Sequence, residues 1–178
     1  MVAEKLISSR TIFEGRILTL RVDTVETADG RESTREVVDH ADCIAVIAVD
    51  ADETVLLVKQ YRRAIDKELL EIPAGGIDAG EDAETAVIRE MQEEIGFRPQ
   101  KLEHLVSFYS TPGFCHEYLH LYLATDLVPG RLHAEDTAGI EVVRVPAAEI
   151  AGLVMSGDIE DAKTIAGLLF YLEYRKSH

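Results

Sequence analysis

IPAGGIDAGEDAETAVIREMQEEIGF, residues 72–97, is the stretch whose reading decides the fold and the site of this chain. Gly96 lies where a left-handed cap ends a helix, so Glu93 and Glu94 occupy the last turn, where the helix dipole disfavours anions. At about 100° per residue, Ala83, Ala86, Val87, Glu90 and Glu94 share one side, with carboxylates taking places that would continue an apolar stripe. Like charges at this spacing repel by roughly 0.2–0.5 kcal/mol per pair, and partial burial adds to that cost. A solvated acidic face is the ordinary reading of a charged helix. The angular position weakens it here, and a divalent cation would offset the repulsion.

Magnesium takes oxygen ligands, typically one or two carboxylates with water and substrate phosphate oxygens, which suits glutamates one helical turn apart. Carboxylates without His or Cys favour Mg²⁺ or Mn²⁺ over zinc. Arg89 precedes Glu90 and reaches Glu93 at i+4, where it can hold that carboxylate in place. Upstream, PAGGIDAGE is Gly-rich but lacks the Lys-Ser or Lys-Thr pair of a P-loop. Its glycines allow a sharp turn that can bring the Ala74 carbonyl beside the helix as a neutral oxygen ligand.

Around this segment, 178 residues at 47% hydrophobic suffice for one core with an added arm. The net charge of −15 argues against sequence-independent binding to nucleic acid or to an anionic membrane. It also means that an anionic substrate needs cations to bind. The N-terminus, MVAEKLISSRTIFEGRI, has neither an apolar signal core nor a membrane-spanning run, which gives a soluble, cytoplasmic protein as the expectation. Cys43 and Cys115 are too few and too isolated for a disulfide framework, and read as reduced thiols.

Before residue 40, RTIFEG, ILTLRVDTVET and RESTREVVDH read as strands, with ADGR as a hairpin turn. DCIAVIAVD, TVLLVKQYR and ELLEIPAG follow as a central sheet, and KLEHLVSFYS, EYLHLYLATDLV and IEVVRV as further strands. STPGFCHE is a loop between the first two of those. Pro146 reads as a first-turn residue of the helix PAAEIAGLVMSG, and the last helix, DAKTIAGLLFYLEYRK, carries Ile165, Leu168, Leu169 and Leu172 on one stripe. The expected class is α/β, helices covering a mixed sheet, with residues 1–39 as an N-terminal β arm and 40–178 as the main domain.

Gly75, Glu81, Arg89, Glu90, Met91, Glu93, Glu94, Gly96 and Phe97 fill the fixed places of a pattern: Gly, five residues, Glu, seven residues, Arg-Glu, an aliphatic, any residue, Glu-Glu, any residue, Gly, an aliphatic. This resembles the box of the Nudix hydrolases, with Phe97 a mild departure at the last hydrophobic place. The resemblance implies an α/β/α sandwich and hydrolysis of a nucleoside diphosphate linked to another moiety. VKQYR before the box, STPGF after it and DAKTI near the C-terminus are similar to the ADP-ribose pyrophosphatase branch, in which a Pro lies at the place of Pro112, 16 residues past Gly96.

The resemblance implies roles residue by residue. Glu90 and Glu94 would be principal ligands of two or three Mg²⁺ ions, with Glu93 and the Ala74 carbonyl completing the cluster. Arg62 would contact the phosphates, a task suited to a planar fork of donors. Pro112, Gly113, Phe114 and Glu117 would serve the terminal ribose side. Glu135, with Asp136 close behind, would act as base or water-positioning group on a loop before IEVVRV. The family's homodimers lend their arms to the partner's adenine pocket, which places Arg35 and Glu36 there. The expected reaction is hydrolysis of ADP-ribose to AMP and ribose 5-phosphate. Hydrolysis of another nucleotide sugar such as a GDP-sugar, or of an oxidised nucleotide, is the same-fold alternative, and a ligand sensor that does not cleave is the alternative of a different class.

Overall fold

A computed structural model describes residues 3–134 and 137–177. The chain forms two compact units, Met1–Asp42 with Phe108–Tyr118, and Cys43–Ser107 with Leu119–His178. In the first, β1 (Lys5–Glu14), β2 (Leu18–Glu26) and β3 (Glu32–His40) make an antiparallel sheet in that order. The β2–β3 connection is the expected tight turn, with Gly30 at φ +77° and its N–H donating to the Thr27 carbonyl at 2.8 Å. The loop from the middle of the chain belongs to this unit because it bonds to β3: Val38 N–H donates to Phe114 O at 2.7 Å, and His116 N–H to Val38 O at 3.2 Å.

The second unit is built on a mixed sheet. Its strands are β4 (Cys43–Val49), β5 (Thr54–Arg62), β6 (Lys67–Glu71), β7 (Ala74–Gly76), β8 (Phe97–Tyr109), β9 (Tyr118–Pro129) and β10 (Glu141–Pro146). The spatial order is β10-β5-β4-β9-β8, with β6 on β5 and β7 on β4, and the β4–β9 pair is parallel. Every residue of β4 is buried, the mark of a strand covered on both faces.

Alternation along β4 assigns those faces. Ile44, Val46 and Ala48 pack with Ala86, Val87, Met91 and Ile95 of helix α1 (Ala83–Glu94) and its cap. Ile47 points the other way, to Gly167 of helix α3 (Ala162–Tyr174). A Cβ on Gly167 would lie 3.0 Å from Leu121 Cδ1 and 3.1 Å from Ile72 Cδ1, so this glycine lets α3 approach the sheet closely.

Two local expectations are corrected. Pro146 is the last residue of β10, opposite Thr54, and the short helix α2 (Ile150–Ser156) begins four residues later. Without an N–H, Pro fits the end of an edge strand as well as the start of a helix. The buried face of α3 is Thr164, Gly167, Leu168 and Tyr171, while Leu169 is 46% exposed. A glycine at the contact, unreadable as an apolar position, had displaced the inferred stripe.

Candidate active site

Helix α1 is fixed at both ends and along one face. Asp82 caps it, its carboxylate accepting from Thr85 N–H at 2.9 Å. At the other end Gly96, at φ +77°, donates its N–H to the Met91 carbonyl at 2.9 Å. Burial of Ala86, Val87 and Met91 sets the helix's rotation, and that rotation carries Glu90 and Glu94 to the margin of the same arc. Glu94 is 6% exposed.

The carboxylates meet the turn that precedes them. Ala74 N–H donates to Glu94 Oε2 at 3.1 Å, so β7 holds this side chain through its backbone. Burial, followed by the neighbouring Glu90 charge, pushes the Glu94 carboxyl up to about 8. Gly75 lies against the Glu90 carboxylate, so closely that a Cβ there would push that carboxylate aside.

Arg89 gathers the remaining acids. Its Nε and Nη2 donate to Glu81 at 3.0 and 2.9 Å, Nη1 donates to Glu90 at 2.6 Å and to Glu93 at 3.4 Å, and Nη2 also reaches the Gly76 carbonyl at 2.9 Å. The i+4 contact with Glu93 is thus the longest of the set, and Glu81 and Glu90 are the principal partners. The hydrogen bond to Arg89 holds the Glu81 carboxyl below the usual range.

A cavity of about 200 Å³ opens beside these groups, lined by Gln60 and Arg62 from β5, Ala74, Gly75 and Gly76 from β7, Glu90 and Glu94 from α1, and Thr137 and Ile140. Gln60 and Arg62 share a strand face by alternation. Arg62 is bound bidentately by Glu71, Nε to Oε1 at 2.7 Å and Nη2 to Oε2 at 2.6 Å. Gln60 Oε1 is shielded from solvent and has no hydrogen-bond partner among the described residues.

Of the residues expected from sequence, Arg62, Ala74, Glu90 and Glu94 come together around this cavity, with Arg89 and Glu93 behind them. Arg35, Glu36, Pro112, Gly113, Phe114 and Glu117 all fall in the N-terminal unit. There Arg35 is ion-paired with Glu4, and Glu117 lies 3.8 Å from His40 Nδ1. Glu135 and Asp136 lie outside the described residues. Glu71 and Gln60 escaped the sequence reading: the first sat unremarked in ELLEIPAG, and the second one residue from Tyr61 in VKQYR.

The donors that this wall offers a cation are oxygens, dominated by two neighbouring glutamates of which one is almost fully buried. Such a set fits a hard divalent cation, and binding it would offset the burial and the Glu90 charge that together raise the Glu94 carboxyl.

Residues 39–168 match the model described as "NUDIX domain", and residues 4–38 the model described as "Nucleoside diphosphate sugar hydrolase N-terminal domain". The chain is 35% identical to an ADP-ribose pyrophosphatase of Bacillus subtilis, covering 98% of this chain and 95% of that protein. It is 39% identical to an ADP-ribose pyrophosphatase of Mycobacterium tuberculosis, over 92% of this chain and 80% of the other. A methanol dehydrogenase activator of Bacillus methanolicus is 35% identical over 94% and 91%. The crystal structure of an ADP compounds hydrolase superposes with a TM-score of 0.90 over 99% of this chain and 96% of its own, at 24% identity, which speaks for the α/β/α sandwich fold. With its box of acids on one helix, its cavity beside them and these matches over nearly the whole sequence, the chain belongs to the Nudix hydrolase family.

Proposed function

We propose that this protein hydrolyses the pyrophosphate bond of ADP-ribose, in a Mg²⁺-dependent reaction that yields AMP and ribose 5-phosphate. The observation that carries this reading is the paired Glu90 and Glu94 seated on Gly75 and Ala74 in the wall that also holds Arg62. Glu90, Glu94, Glu93 and the Ala74 carbonyl would hold two or three Mg²⁺ ions. Bound there, the ions supply charge neutralisation for the pyrophosphate and a more acidic water for in-line attack on phosphorus. Arg62 orients the phosphates with the N–H groups that Glu71 leaves over. Arg89 keeps Glu90 and Glu93 at fixed spacing. Glu135 takes the proton of the attacking water. Thr137 and Ile140, just beyond it in the chain, line the cavity, which supports that role.

Residues 1–39 act as a dimerisation arm that contributes to the partner's adenine pocket, and 40–178 is the catalytic domain. Arg35 and Glu36 serve the adenine side, and Pro112, Gly113, Phe114 and Glu117 the terminal ribose. β1 is exposed along its whole length, including Leu6, Ile7, Ile12 and Phe13, which supports a homodimer formed through the arm. Among the described residues no helix is long and apolar enough to cross a membrane.

Selectivity is tested by kcat/KM for ADP-ribose, GDP-mannose, NADH and 8-oxo-dGTP with Mg²⁺. ADP-ribose gives the highest value if the reading holds. A preference of about tenfold, or about 1.4 kcal/mol, for GDP-mannose or the oxidised nucleotide overturns the substrate assignment and leaves the hydrolase.

A further inference from the structure

Glu71 is the last residue of β6 and is 1% exposed, yet it carries a charge. It is not the ladder partner of Arg62: Glu71 pairs with Val58, and Arg62 with Lys67. The guanidinium therefore reaches back along the strand to meet Glu71 through Nε and Nη2. A second cation, Lys163, bonds Glu71 Oε2 and also Asp161 Oδ2 at 3.0 Å. Burial by itself would push the Glu71 carboxyl up, but Arg62 and Lys163 outweigh it and hold the group below its ordinary range.

Lys163 is in turn placed by the start of α3. Asp161 caps that helix, accepting from Thr164 N–H at 2.9 Å, and the Thr164 hydroxyl accepts from Ile72 N–H at 3.0 Å, next to Glu71 in the chain. The segment DAKTI thus docks the helix on the end of β6 and delivers an ammonium to a buried carboxylate.

We propose that Glu71 and Lys163 are positioning residues for Arg62: Lys163 locks the Glu71 carboxylate, and Glu71 occupies the Nε–Nη2 edge of Arg62 so that Nη1 faces the anion in the cavity. A buried ion pair adds little stability over a well-packed apolar pair, so stability alone is a poor reason for two cations on one carboxylate. Among the described residues Arg62 Nη1 has no hydrogen-bond partner, and Arg62 lines the cavity shared with Glu90 and Glu94. The placement of the guanidinium edge is what the cluster provides.

This rests on the reading of Arg62 as a phosphate contact. Two readouts separate the failures: kcat and KM for ADP-ribose with Mg²⁺, and Kd for inorganic pyrophosphate by calorimetry, for Lys163→Met, Lys163→Arg, Glu71→Gln and Arg62→Ala, and for the first and third combined with Arg62→Ala. Lys163→Met and Glu71→Gln are expected to raise KM and Kd about tenfold, equivalent to about 1.4 kcal/mol, with kcat changed less. Lys163→Arg keeps the cation and restores most of the loss. In the Arg62→Ala background neither change has a further effect, because both act through that guanidinium. Additive losses, or wild-type values in Lys163→Met, overturn the inference. If Glu71→Gln does not fold, the two Lys163 variants decide alone. If ADP-ribose is not cleaved but the pyrophosphate Kd values follow this pattern, the substrate reading falls and the positioning role stands.

Discussion

Gly75 lies directly against the Glu90 carboxylate: a Cβ at position 75 would stand 1.9 Å from Glu90 Oε1 and 2.1 Å from Cδ. The atoms in the way are the far end of a flexible side chain, so Gly75→Ala displaces Glu90 while the backbone stays. A displacement of about an ångström at a catalytic ligand costs on the order of a hundredfold in turnover. Stability should change by no more than about 1 kcal/mol. Thermal unfolding beside steady-state rates checks this: a variant with wild-type activity would show that the Glu90 position is not used.

Glu94 gives a pH dependence of stability in metal-free protein. Its carboxyl stands at about 8 in the folded chain against an ordinary 4.5. Below that lower value both folded and unfolded states hold the proton and the contribution is fully present. Above it the unfolded chain ionises first, and stability is lost as pH rises toward about 8. The loss should be on the order of a few kcal/mol, and Glu94→Gln should remove it. Denaturant midpoints of chelator-treated protein between pH 5 and 8.5 measure this. Equal slopes for wild type and variant would contradict the buried, uncompensated carboxylate.

The acidic helix was legible in the sequence because its signals are local. Gly96 as a left-handed cap, and the placing of Glu90 and Glu94 in an apolar arc, follow from helical periodicity alone, and the φ of +77° and the burial of Ala86, Val87 and Met91 agree with them. What periodicity could not give was any contact between distant segments. Glu71 and Lys163 are 92 residues apart, and nothing in ELLEIPAG or DAKTI taken singly shows that they meet. The resemblance implies a phosphate contact for Arg62 and says nothing of its partner Glu71. Pro146 was misplaced because a residue lacking an N–H suits both a helix start and an edge-strand end.

Gln60 Oε1 is a buried acceptor without a partner among the described residues, and such a group costs about 1–3 kcal/mol. Gln60→Leu should therefore raise the melting temperature of the ligand-free protein. A lowered melting temperature would show that the amide is satisfied in the folded chain.

Removing residues 1–39 should abolish both dimer formation and affinity for ADP-ribose, since the deletion takes with it β1, with its exposed Leu6, Ile7, Ile12 and Phe13, as well as Arg35 and Glu36. Light scattering and substrate titration of the shortened chain measure the two losses together. A monomeric full-length protein, active at the same concentration, would rule out the assigned role of the arm.

On the proposed function, Glu90 and Glu94 hold the divalent cations with which ADP-ribose is cleaved at its pyrophosphate. The direct measurement is product identification after incubating ADP-ribose with wild type, Glu90→Gln and Glu94→Gln, each chelator-treated and then supplied with Mg²⁺. Wild type with Mg²⁺ should yield AMP and ribose 5-phosphate in equal amounts, the chelated protein should yield neither, and each variant should lose turnover by orders of magnitude while remaining folded. Equal product with and without Mg²⁺, or a variant that loses nothing, would contradict it.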